Sequence, residues 1–131
     1  MIPQARPHTD ALLAALRAAG LTVGDATGTG LTAPYSVLYT DEGSLDGSLG
    51  DRFSDLTMTA VLHSFGAGRQ QAQWGVDKAR AAVLAGVSVP GRNTLYVTQL
   101  ASQPVTEDTD VTPSLFLAID VYRFATTPGS P

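Results

Sequence analysis

Residues 115–126 read LFLAIDVYRFAT, and no other stretch limits the possible folds as sharply. The segment is rich in β-branched and aromatic residues, as strands are. Read with the two-residue period of a strand, it is apolar on both sides. Leu115, Leu117, Ile119 and Val121 form one face; Phe116, Ala118, Tyr122 and Phe124 form the other, broken by Asp120. A strand with one wet face alternates apolar and polar residues. This one does not, so both of its faces need cover.

The partners for such a strand can be picked out by the same period. LTMTAVLHSF (56–65) predicts a second long strand, and shorter ones are expected at 35–39 and 94–102. Two helices are expected. The first runs through ALLAALRAAG with Thr9 or Asp10 as its cap and Gly20 as its stop; the second runs from Arg69 to about Ala85 and ends at Gly86. The Gly- and Thr-rich stretch 20–33 reads as an irregular connection, with room for a short extended piece at 21–23. Residues 40–55 read as a long loop or loose hairpin, and 103–113 as a second loop. The expected fold is α+β: about four mostly antiparallel strands with two helices packed on them, in the order α-β-β-α-β-β. The 131 residues make one domain, with 1–8 and 127–131 as loose tails.

Hydrophobic residues make up 44% of the chain, enough for a core, but charged residues only 15%, well under the usual ~25%. So lightly charged a surface suggests cover by other subunits. On the second helix, Ala72, Val76, Ala79, Ala82 and Val83 form one stripe, and Trp74 lies nearly opposite it. Either a loop of the same chain or another subunit must cover that tryptophan. Trp74, Phe116, Tyr122 and Phe124 are therefore the candidate subunit-interface residues.

The residues that carry chemistry are few. There is no cysteine, which excludes disulfides, thiol nucleophiles and thiolate metal sites. His8 and His63 are the two histidines. His63-Ser64 fails the Gly-x-Ser-x-Gly elbow, because Leu62 stands two before the serine. Gly66-Ala67-Gly68 lies where phosphate loops lie, but a dinucleotide fingerprint needs a third glycine where Gln71 stands. An EF-hand counted from Asp41 meets Gly43 and Leu45 where oxygen ligands belong. Basic residues are scattered singly, with no patch for a nucleic-acid backbone. No run reaches the ~18 apolar residues of a membrane span, and the N-terminus lacks the apolar core of a signal peptide. No catalytic, cofactor or metal site is expected.

Eight of the twelve acidic residues fall within 41–55 and 107–110, where Arg52 is the only base. Asp41, Glu42, Asp46 and Asp51 in one loop, and Glu107, Asp108 and Asp110 in the other, are candidate channel-lining or docking carboxylates. In a ring, such loops would add up to a band of negative potential.

Several segments together resemble a known family: APYSVLY (33–39), LDGSLGDRFSDLTMTAVLHSFGAGRQQAQWGVDKARAAVL (45–84), VPGR (89–92) and PSLFLAIDVYRFATTP (113–128). They are similar to the tail terminator (tail completion, or minor tail) proteins of long-tailed actinobacteriophages. The resemblance implies an α+β fold like that of the phage lambda tail terminator. It also implies a homohexameric ring on the head-proximal end of the tail tube. Such a ring ends tube polymerisation, meets the head–tail connector and lets DNA pass through its channel. The partners implied are further copies of the chain, the tail tube protein and the connector or stopper, with no membrane. The protein would be made in the host bacterial cytoplasm and would reside in the virion at the head–tail junction. Alternatives are a head–tail stopper or other connector ring, a tail tube subunit, and, in a different class, a small hydrolase or ligand-binding domain using a pocket at His63.

Overall fold

The computed structural model describes residues 2–129. Its elements in chain order are α1 (Ala5–Ala18), β1 (Val23–Asp25), β2 (Tyr35–Thr40), β3 (Ser44–Ser48), β4 (Asp51–Gly66), α2 (Arg69–Leu84), β5 (Arg92–Asp108) and β6 (Leu115–Pro128). The strands form one six-stranded sheet in the order β1-β2-β4-β6-β5. β3 pairs with the first part of β4, end to end with β2, which pairs with the last part. β1 runs parallel to β2 and the other pairs are antiparallel, so the sheet is mixed.

This corrects the expectation of about four strands in the order α-β-β-α-β-β. The two added strands are those that local pattern cannot announce. β1 is three residues, VGD, held by pairing with β2. β3 is SLDGS, poor in β-forming residues, and exists because a tight turn at Leu49-Gly50 folds it back on β4. β4 starts at Asp51 rather than Leu56, and β5 continues through Pro104 to Asp108 because β6 pairs with it along its length. What was expected to be loop at 103–108 is therefore strand.

The tails also differ. α1 begins at Ala5 with Gln4 as its N-cap, ahead of Thr9 and Asp10. Pro7 is tolerated because the first turn needs no amide donor. Thr9 is buried and bonds Thr40 across to β2 (2.8 Å), while Asp10 pairs with Arg6. Thr127 and Pro128 belong to β6. The tail expectation at Met1, Ser130 and Pro131 falls outside the described residues.

Both helices lie on one face of the sheet. Leu12, Leu13 and Leu16 of α1 and Ala79 and Val83 of α2 meet Leu56, Met58, Ala60 and Leu62 of β4 and Tyr122 and Phe124 of β6. Burying the Leu, Val, Met and Phe side chains among them contributes roughly 1.5–3 kcal/mol each. Gly75 of α2 faces Ser64 on β4, where a Cβ would meet that of Ser64 at 3.5 Å, an ordinary van der Waals contact. Asp120, 3% exposed, enters the same layer. It is held by Arg80 of α2 through two bonds (2.8 and 3.0 Å) and by the Tyr122 hydroxyl (3.0 Å). A buried carboxylate needs such partners, and this clamp ties α2 to β6.

Candidate functional site

The other face of the sheet has no helix. The strand registers place Val61, His63 and Phe65 of β4 beside Val121, Ile119 and Leu117 of β6. Tyr39, Val37 and Tyr35 flank them on β2, and Ala101 and Gln103 on β5. Tyr35 stacks on Phe65 at 4.8 Å, and His63 packs against Tyr39 and Phe65 at 5.1 and 6.3 Å. The loop at Gly28 leans on Tyr35 and Val37 and closes one side. The result is a shallow apolar trough over β4 and β6, its six central side chains half-buried by their neighbours alone. The sequence demanded cover on both faces of β6, and the chain itself supplies it on one.

At one end of the sheet a hairpin stands clear. β6 stops at Pro128, and Leu56 already pairs with Thr126, so residues 47–53 project past the end of β6. Leu49 at the tip is 98% exposed and Phe53 is 52% exposed. Asp46, Asp51 and Asp55 accompany them with Arg52, and Arg92 reaches the base of the hairpin at the Ser54 carbonyl (2.6 Å) and interacts with Asp55. The second acidic loop, after β5, lies at the opposite end of the sheet, where Gly66 meets Phe116. The two acidic loops are thus poles rather than one patch. Several of these carboxylates shape their turns. Asp41 accepts the backbone amides of Gly43 and Thr59, Asp46 that of Gly47, and Asp108 that of Asp110.

The four candidate interface aromatics separate. Trp74 is 41% exposed on the outer side of α2 and stands apart from the core cluster. Phe116 is half-buried beside Gly66 and Glu107. Tyr122 and Phe124 are 1% and 0% exposed and sit beneath the helices as part of the chain's own core. The sequence shows that both faces of β6 are apolar, but not which of them the helices take. The trough residues, which the notion of an interface now turns on, were visible only as the odd-numbered half of that pattern.

The polar groups are arranged for packing rather than reaction. His63 and Ser64 are neighbours on a strand and point to opposite faces, so they cannot act as base and nucleophile. The Ser64 hydroxyl is buried toward α2 with no hydrogen bond among the described residues. His8 has both ring nitrogens engaged, with the Gln4 carbonyl (2.7 Å) and the Thr126 hydroxyl (2.6 Å). Arg92 also donates to that hydroxyl (2.8 Å). In a consistent arrangement the His8 Nδ1–H donates to Gln4 and the Thr126 hydroxyl donates to Nε2. Burial, and then the charge of Arg92, push the His8 pKa down; burial alone does so at His63. Both rings are thereby favoured in the neutral form. A cleft of about 370 Å³ beside α2 is lined by Arg69, Asp77, Arg80 and Asp120 among others, and the last two are already paired with each other. Among the described residues no group of three or more His, Cys, Asp or Glu is placed to hold a metal. No helix among them is long and apolar enough to cross a membrane.

The architecture defines a class: a mixed six-stranded sheet with two helices on one face and an apolar opposite face. No protein-family model and no curated protein matches the chain. Among solved structures it is similar to a chain described as "Virion of native gene transfer agent (GTA) particle". The TM-score is 0.61 at 19% identity, over 92% of this chain and 87% of that one. At that identity the likeness is one of fold.

Proposed function

We propose that the chain is a structural protein of a phage-like virion, and specifically a tail terminator. It would form a ring at the head-proximal end of the tail tube. The observation that carries this reading is the end-to-end likeness of fold to a chain of a virion particle. The sequence resemblance to tail terminators supplies the finer role. The apolar sheet face, on which no helix of the chain packs, supports assembly into a larger body. The partners in this reading are further copies of the chain, in a homohexamer, together with the tail tube protein and the head connector or stopper. DNA passes through the channel without being bound, past at least one acidic loop that repels its phosphates. The role is structural, not enzymatic.

Deleting the coding sequence tests the reading. Loss of a terminator leaves filled heads without tails, together with tubes of uncontrolled length. Normal particles after deletion would refute it. Heads that leak DNA beside tails of normal length would favour the stopper alternative.

A further inference from the structure

The reading as a ring protein leaves open which surfaces meet, and two features narrow the choice. β5, the long edge of the sheet, is bulged at three places and carries Pro104. Bulges and proline are devices that keep an edge from adding another strand. The opposite edge is β1, three residues long. β3, off that order, is a third free edge, but it is five residues long and irregular between Asp46 and Ser48. Association by edge pairing is therefore disfavoured, which directs attention to the open face.

Among the apolar surfaces that the described residues leave without an element packed on them are the trough of Val61, His63, Phe65, Leu117, Ile119 and Val121 and the projecting hairpin with Leu49 and Phe53. Leu95, Tyr96 and Leu100 on the bulged β5 are a further exposed set. The trough and the hairpin lie toward opposite ends of the sheet, so a chain cannot fill its own trough with its own hairpin. Their charges also match. The hairpin has three aspartates and Arg52, with Arg92 offsetting Asp55 at its base, so it stays acidic overall. The rows of the trough have no acidic side chain, and the next row places Arg123 between Thr59 and Thr98. Arg123 is exposed and has no hydrogen bond or ion pair among the described residues.

Resting on the ring reading, the geometry points to the β3–β4 hairpin of one copy seating Leu49 and Phe53 in the sheet-face trough of the next, with Arg123 facing the hairpin's aspartates. The contact is head to tail. Such contacts propagate from copy to copy and close into a ring when the rotation permits. The apolar contacts supply the attraction, and the Arg123–aspartate pairing sets the register.

The absence of cysteine makes the test clean. A chain carrying Leu49→Cys and Ile119→Cys is treated with a short bis-maleimide, both at high concentration and within purified particles. The expected result is a ladder of covalent multimers, whereas either single variant stops at dimer. In parallel, a hairpin variant (Leu49→Asp with Phe53→Asp) and a trough variant (Ile119→Asp) should each associate at least tenfold more weakly. Mixed together, they should give a one-to-one heterodimer, because one intact hairpin and one intact trough remain. Multimers of wild-type mass from both variants, or a ladder only when Leu49→Cys is combined with Trp74→Cys, would overturn this contact and leave the ring standing. A wild-type chain that is single in solution and absent from particles would overturn the ring reading as well.

Discussion

Replacing Arg80 by leucine separates a buried clamp from a surface ion pair. Asp120 is 3% exposed and its carboxylate faces the helix layer. Arg80 supplies two of its bonds, Tyr122 a third and Gln99 a long fourth (3.4 Å). With leucine at 80, the carboxylate stays buried with two neutral donors. Removing one partner of a buried pair costs about 3–5 kcal/mol. The Arg80 side chain is 38% exposed, so water can enter and the low end, about 3 kcal/mol, applies. For a domain of this size that is roughly 9–15 °C in Tm. With a urea slope near 1.5 kcal/mol/M it is about 2 M in midpoint. Asp120→Asn keeps the shape and the hydrogen bonds but loses the charge, and should cost less, about 1.5–3 kcal/mol. Arg80→Leu combined with Asp120→Leu should recover much of the loss, because no buried charge remains. Urea melts of the four proteins measure all of this. A loss below about 1 kcal/mol in Arg80→Leu is what an exposed pair gives, and it would refute the clamp.

The remaining predictions concern pH, backbone, tryptophan and acid. Because His8 is held below its ordinary pKa, the unfolded chain binds its proton first. Stability is therefore full above about pH 6.5 and falls as pH drops below it. His8→Asn should flatten that part of a urea midpoint–pH curve, and an unchanged curve would remove His8 from the account. Gly66→Ala places a methyl 2.4 Å from the Ala72 amide nitrogen and should cost about 1–3 kcal/mol in a thermal melt, whereas Gly68→Ala meets nothing within 4 Å and should be near neutral. Trp74→Ala should leave the monomer's Tm unchanged while blocking tail completion; a collapse of monomer stability would show that Trp74 is core. Neutralising Asp41, Glu42, Asp46 and Asp51 to Asn and Gln should slow DNA ejection from intact particles if their loop lines the channel, and yield free heads and tails if it docks. Normal assembly with normal ejection would leave these carboxylates a role in solubility only.

The helices, β4 and β6 were legible because each spans many residues of one period, so local pattern and burial agree. Leu56 to Phe65 alternates as written, and the Ala- and Leu-rich runs place α1 and α2. What escaped is what depends on partners distant in sequence. Val23–Asp25 is a strand only beside Ser36–Leu38, and Ser44–Ser48 only beside β4. The bulges at 94–96, 99–101 and 103–106 break the alternation of β5, which hides a 17-residue strand behind a 9-residue one. Tyr122 and Phe124, candidates for an interface by sequence, are taken up in the chain's own core. Periodicity divides a strand into two faces, but it does not say which face α1 and α2 will choose. The even face of β6 lies with the apolar Leu56, Met58, Ala60 and Leu62 of β4 under the helices, and its one charge, Asp120, is met there by Arg80 of α2. That pairing joins residues forty apart, and no local window contains it.

The most direct test of the central claim is a cryo-electron microscopy reconstruction of the purified particle at the junction between head and tail. The account predicts six copies of this fold in a ring on the last tube layer, with the helix-free sheet face covered by the neighbouring copy. A junction resolved to side chains in which this chain is absent would contradict it.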